Sequence, residues 1–314
     1  MKPAAGLSII VAAMLVSLAL LSPSGALADE LPKDTNQIES LTTEQTKTLL
    51  AEFKGQQLDL NGLTTLDADT VKGLAEFKGH TLQLNGLTTL DADIAKTLAE
   101  FKGRYLYLNG LTTLNAATAK AIAEFKGPSL ELSGLTTLDA ATAKPLAEFR
   151  GFILLLNGLT AIDAGTATAL AEFKGQYLYL NGLTTFDAGT AKVLAEFKGE
   201  QLLLNGLTTL DADTAKALAE SKPWGGQLPR ITAFESPDSV EIAAALAKRK
   251  GPLLLRSLTK ISPKTLTALI EKEDVEIPLI ETLELIQEPD GSLTEDFVIP
   301  KGFQAWQKVR QQGR

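Results

Sequence analysis

Apolar residues recur along this chain with two alternating periods. In residues 66–87, LDADTVKGLAEFKGHTLQLNGL, Val71, Leu74 and Ala75 are spaced as one face of a helix, whereas Leu82 and Leu84 alternate with Thr81, Gln83 and Asn85 as one face of a strand. Asp67 precedes the helical run as an N-cap, and Asp69 adds negative charge to the first turn. Leu66 and Val71 have the spacing of a hydrophobic staple. The pattern predicts a helix of about three turns closed by a left-handed Gly79, then a short strand and a turn at Asn85-Gly86.

The unit returns every 24 residues, as Gly55, Gly79, Gly103, Gly127, Gly151, Gly175 and Gly199 show. A fixed period of this size marks a solenoid, in which stacked units share a core that none could bury alone. Stacking in register lays the strands parallel and gathers the helices on the opposite side. Leu58, Leu82, Leu106, Leu130, Leu154, Leu178 and Leu202 then form one buried column. Phe53, Phe77, Phe101, Phe125, Phe149, Phe173 and Phe197 form another. Helices are about 10 Å wide and strands lie about 4.8 Å apart, so the stack curves. The expected fold is an α/β curved solenoid of strand-turn-helix repeats, with a parallel β-sheet on the concave face and helices on the convex face.

The segment L-x-L-N-G-L-T-x-L resembles the bacterial leucine-rich repeat, and the wording is similar to that of exported bacterial proteins with 24-residue repeats. The resemblance runs over residues 43–286. The asparagine follows the second strand leucine directly, where the common pattern has it three positions later. The resemblance implies a binding or scaffolding surface on the concave face and no shared catalytic residues.

The sequence divides into five parts. Residues 1–28 read as a signal peptide, with Lys2 as the basic end, an apolar run from Gly6 to Leu21, and Ala26-Leu27-Ala28 before the cut. Residues 29–42 lead to the cap, residues 43–222 are the regular solenoid, residues 223–286 are degenerate repeats, and residues 287–314 are a C-terminal cap and tail. Thr43 is expected at the first cap position. The pattern breaks where Ser221 replaces the phenylalanine and Pro223-Trp224-Gly225-Gly226 intervenes. Ser236-Pro237 and Ser262-Pro263 each read as an N-cap with proline at the first helical position, and Gly251 as the end of the first of these helices. Leu253 with Leu255, then Leu283 with Leu285, read as two further strands. Phe297, Ile299, Phe303 and Trp306 are available to cover the last repeat.

Composition narrows the chemistry. A formal net charge of −8 disfavours nucleic acid as a partner. Lys248-Arg249-Lys250 reads as cations complementing a helix end. Without cysteine there is no thiolate nucleophile and no cysteine zinc site. His80, the only histidine, stands at a variable column and reads as exposed. The aspartate pairs Asp67/Asp69, Asp91/Asp93 and Asp211/Asp213 invite a calcium reading, but Ala141, Gly165 and Gly189 replace the second member without loss of pattern, so capping explains them. No metal, no cofactor and no enzymatic activity are expected. The Asn61, Asn85, Asn109, Asn157, Asn181 and Asn205 column reads as turn chemistry.

The four tyrosines of the chain are Tyr105, Tyr107, Tyr177 and Tyr179, all at outward strand positions. With Glu131, Ile153, Leu155 and Leu203 they make a candidate ligand-binding patch on the concave sheet, its tyrosine pairs about 14 Å apart. The expected protein is an exported, non-catalytic binding or scaffold protein that holds a protein, peptide or glycan. It is secreted, periplasmic or at the cell surface, without a membrane span in the mature chain. A structural, self-associating envelope protein is the alternative, and a carboxylate-dependent hydrolase the last reading.

Overall fold

The computed structural model describes residues 31–289, Gly291, Phe303 and Gln307. The signal-peptide reading and Phe297, Ile299 and Trp306 lie outside the described residues. Seven strands form one parallel sheet in chain order: β1 (Gln57–Asp59), β2 (Thr81–Gln83), β3 (Tyr105–Tyr107), β4 (Ser129–Glu131), β5 (Ile153–Leu155), β6 (Tyr177–Tyr179) and β7 (Gln201–Leu203). Helix α1 (Thr43–Glu52) precedes β1. Between the strands lie α2 (Ala68–Ala75), α3 (Ala92–Leu98), α4 (Ala116–Ile122), α5 (Ala140–Leu146), α6 (Ala164–Ala171) and α7 (Ala188–Ala195), and α8 (Ala212–Glu220) follows β7. The molecule is an α/β solenoid of stacked strand-turn-helix units.

Register is strict. Leu58 pairs with Leu82, and the column continues through Leu106, Leu130, Leu154, Leu178 and Leu202 without a slip. All seven are buried. A one-residue slip would send each of these leucines to solvent, which is why so short a strand holds its register. The phenylalanines stack beside this column. From Phe77 to Phe197 successive ring centroids lie 6.0 to 6.3 Å apart, with planes within 7°. These rings are equivalent by the repeat, so their separation is the pitch of the stack at that depth. It exceeds the ~4.8 Å between strands. The units therefore fan open from the sheet towards the phenylalanines, and the sheet lies on the inside of the bend.

Helices α2 to α8 are each fixed at the start by the expected aspartate or its asparagine equivalent. Asp67 Oδ1 accepts from the Thr70 N–H at 2.7 Å, and Asp91, Asn115, Asp139, Asp163, Asp187 and Asp211 repeat the contact. A second device was not anticipated. The capped threonine is buried, and its hydroxyl reaches back to the preceding unit: Thr70 to the Leu41 carbonyl at 3.0 Å, Thr118 to Leu90 at 3.1 Å, and Thr166 to Leu138 at 3.1 Å. One side chain thus joins helix start to neighbouring turn.

Several local expectations need correction. The helices between strands have seven or eight residues, about two turns rather than three. Phe77 N–H bonds the Leu74 carbonyl at 3.1 Å, tightening the last turn so that the chain leaves early for the aromatic column. Gly79 does not close the helix in a left-handed conformation; among the described glycines positive φ occurs at Gly226, Gly251 and Gly291. Glycine is required at 79 because a Cβ would lie 2.2 Å from Phe77 Cζ and 2.6 Å from the Gln56 carbonyl oxygen. Gly86 likewise faces the Asn61 carbonyl oxygen, which a Cβ would approach to 2.2 Å. Thr42, not Thr43, caps α1, in a capping box with Gln45.

The asparagines do more than turn the chain. Asn85 N–H donates to Asn61 Oδ1 at 3.0 Å, Asn109 to Asn85 at 2.9 Å, Asn181 to Asn157 at 3.1 Å and Asn205 to Asn181 at 3.0 Å. This is an asparagine ladder at a shifted position, satisfying backbone donors that leave the sheet at each turn. Ser133 interrupts it: Asn157 N–H meets Ser133 Oγ at 3.4 Å.

Beyond β7 the stack continues with altered geometry. The strands β8 (Leu253–Leu254), β9 (Lys260–Ile261), β10 (Val275–Glu276) and β11 (Glu284–Leu285) pair as β10 with β8 and β11 with β9. Single bridges Leu202–Trp224 and Gln227–Leu254 connect β7 onward to β8. Val275 is the partner of Leu253, and Leu285, in a strand as expected, belongs to a second ladder with Ile261. Ser262 caps α10 (Pro263–Ile270) as expected. Ser236 does not cap α9 (Ser239–Ala247); its carbonyl accepts the Ser239 N–H in a turn before the helix, and Asp238 holds the cap position. Gly251 is left-handed but follows the helix end by several residues. Phe303 packs against the core.

Lys248-Arg249-Lys250 is not a uniformly solvated helix end. Arg249 is buried and donates to the Ser221 carbonyl at 2.9 Å, to the Pro252 carbonyl at 3.3 Å and to the Trp224 carbonyl, with its guanidinium over the Trp224 ring. Burial lowers its pKa. It clasps the inserted loop to the next unit, whose Lys272 Nζ donates to the Arg249 carbonyl at 2.7 Å.

Candidate functional site: the outward face of the sheet

Each strand of β1–β7 buries its middle residue and leaves the flanking two half-buried or exposed, except that Ser129 of β4 is buried as well. Pairing sets two rows across the sheet. One runs Gln57, Thr81, Tyr105, Ser129, Ile153, Tyr177, Gln201. The other runs Asp59, Gln83, Tyr107, Glu131, Leu155, Tyr179, Leu203. The eight candidate residues Tyr105, Tyr107, Glu131, Ile153, Leu155, Tyr177, Tyr179 and Leu203 thus fall on one continuous face, and all are half-buried.

The polar edge of the patch is organised. Glu131 Oε1 accepts from Asn109 Nδ2 at 3.0 Å. Burial raises the Glu131 pKa despite the opposing bonds from Asn109 and Ser133. Tyr107, beside it in register, is raised by burial and then by the nearby Glu131 carboxylate. The Tyr177 hydroxyl donates to Glu200 Oε2 at 3.1 Å, and the Arg104 guanidinium sits 5.7 Å from the Tyr105 ring centroid.

Sequence reading missed Phe152. It is 55% exposed and immediately precedes β5, at the column occupied elsewhere by His80, Arg104, Gln176 and Glu200. The signal was present: Phe152 is the one large apolar residue in a column otherwise holding Gln56, His80, Arg104, Pro128, Gln176 and Glu200. It adds an exposed apolar side chain next to Ile153 at the strand start. His80 itself is exposed. Among the described residues no three metal-binding side chains converge, and no helix is long and apolar enough to cross a membrane.

A parallel sheet of two-turn helical repeats with one outward aromatic face defines the class: an α/β solenoid with a candidate docking surface on its strands. No family model and no curated protein matches the chain. Among solved structures it is similar to an internalin (inlF) from Listeria monocytogenes, with a TM-score of 0.43 and 14% identity over 81% of this chain and 79% of that one. The fold assignment rests on the sheet, its register and the helices themselves.

Proposed function

We propose that the protein is an exported, non-catalytic binding protein that holds a protein or peptide segment across strands β3 to β7. The observation that carries the reading is the clustering of all four tyrosines with Ile153, Leu155 and Leu203 on the one sheet face that the helices leave uncovered. Isolated apolar residues on a surface need no explanation, but a contiguous aromatic and aliphatic patch marks an interaction site. Tyrosine suits this role because it brings a large contact area with few rotatable bonds. The reading of residues 1–28 as a signal peptide supports export.

The test is affinity capture from the native culture, with the wild-type chain and the Tyr107→Ala/Tyr179→Ala double variant as parallel baits. Bands retained by the wild type and lost by the variant, at equal thermal stability, support the site. Identical capture by both removes it.

A further inference from the structure

Of the two outward positions in each strand of β1–β7, only Asp59 and Glu131 carry charge, and both are acidic. Asp59 lies on the first strand, outside the patch, with Gln57 Nε2 donating to its carboxylate at 3.0 Å. Glu131 lies on the central strand, inside the patch, between Tyr107 on one side and Leu155 on the other. An acid at this place runs against the character of its surroundings. A purely apolar ligand laid across β3 to β6 would cover the carboxylate and strip its remaining water without giving it a partner, which disfavours binding. Asn109 supplies one donor and Ser133 a second, which leaves acceptor capacity on the carboxylate unused.

Resting on the docking reading above, we propose that the partner segment carries one lysine or arginine that seats on Glu131, flanked within three residues on each side by aromatic or branched aliphatic side chains. The charge complementarity is one-sided: the outward strand positions of β1–β7 hold no cation, and Arg104, just before β3, lies over the Tyr105 ring. The flanking pattern follows from distance. Tyr107 is one strand spacing from Glu131 and Tyr179 two, about 5 and 10 Å, which an extended peptide covers in about two and three residues. Burial of the carboxylate among tyrosine and leucine lowers the local dielectric, so a cation placed there is held more strongly than at the open surface. The rest of the patch supplies area, and Glu131 selects among apolar segments by penalising those without a positive charge.

The experiment is selection of a phage-displayed random peptide library on the purified protein, on Glu131→Gln and on Tyr107→Ala/Tyr179→Ala. The wild type should enrich peptides with a basic residue between apolar ones. Glu131→Gln should enrich apolar peptides without the basic residue, and should bind the wild-type winners about tenfold more weakly. Wild-type winners lacking a Lys or Arg preference, but lost on the tyrosine variant, overturn the cation while sparing the docking face. Winners unaffected by the tyrosine variant, or no winners, overturn both. Neutral glycans captured in place of peptides, or a concentration-dependent dimer in light scattering that Tyr107→Ala/Tyr179→Ala abolishes, overturn the basic segment in favour of a sugar or a second copy.

Discussion

Asn109 donates through Nδ2 to Glu131 Oε1 at 3.0 Å, while its Oδ1 accepts the Ser133 N–H at 2.8 Å. One side chain therefore carries the ladder and steadies the single charge of the sheet patch. Asn109→Ala should leave the Ser133 N–H unpaired, at about 1–3 kcal/mol. A Tm lower by about 2–4 °C for each kcal/mol is expected in calorimetry. An unchanged Tm would show that the ladder contributes nothing at this rung.

Ser133 is the natural gap in the same ladder, with contacts of 3.4 Å to Asn157. Ser133→Asn should close it and stabilise the protein by about 0.5–1.5 kcal/mol, the net worth of one hydrogen bond. Urea titration reads this as a raised midpoint at constant slope. A lowered midpoint would mean that the serine is there to make room for Glu131.

Glycines at two kinds of position should respond with opposite sign. Gly79→Ala drives a methyl into Phe77 and the Gln56 carbonyl and should cost about 1–3 kcal/mol. Gly165→Ala, inside α6, meets nothing nearer than the Ala140 Cβ at 3.4 Å and should gain about 0.5–1 kcal/mol from helix propensity. Paired thermal melts decide, and a Gly79→Ala variant as stable as wild type would sink the close-approach account.

Acid should loosen the solenoid through its caps. The Asp67, Asp163 and Asp187 carboxyls are held below the usual aspartate value of 3.8 chiefly by the backbone N–H groups of Thr70, Thr166 and Thr190, and Asp139 chiefly by the Thr142 side chain. A carboxyl depressed in the folded state contributes stability that is present above its unfolded value and lost as pH falls through the folded one. Stability should thus decline below about pH 4, and asparagine at these four positions should flatten that decline. Glu131 works the other way: its value is raised above the usual 4.5, so its ionised form opposes folding as pH rises. Glu131→Gln should melt higher than wild type at neutral pH, with the difference closing towards pH 4.5. A difference independent of pH would contradict the sign.

Arg249 should matter more than any exposed cation of the chain. Arg249→Met keeps the stem but leaves the Ser221, Trp224 and Pro252 carbonyls without their donor. Loss of about 2–4 kcal/mol is expected. A Trp306→Phe background isolates Trp224, whose emission should shift to longer wavelength as the loop opens. Unshifted emission would show that packing alone holds Trp224.

The repeat, its register and the two buried columns were legible in the chain because a period of two and a period of 3.6 leave different leucine spacings, as Leu82 with Leu84 and Val71 with Leu74 show. What escaped was contact between units. Gly79 looked like a helix end because local rules do not show that the Phe77 ring folds back over it or that the Gln56 carbonyl of the preceding unit crowds it. The Asn85 ladder and the Thr70 hydroxyl bond were hidden for the same reason, since their partners lie 24 and 29 residues away. Arg249 sits in a basic triplet that reads as cations complementing a helix end, and only the inserted loop explains why its middle member turns inward. The tyrosine rows needed register alone, which the period supplied. Phe152 was overlooked because it precedes the strand instead of lying in it.

The near-constant aromatic spacing has an evolutionary corollary. Every joint from Phe77 to Phe197 is almost the same joint. A duplication or excision of 24 codons would therefore meet matching surfaces on both sides of the splice. Overall reach is the trait most open to variation in such a chain, whereas the local bend and the strand-to-strand seam are inherited unchanged by every copy.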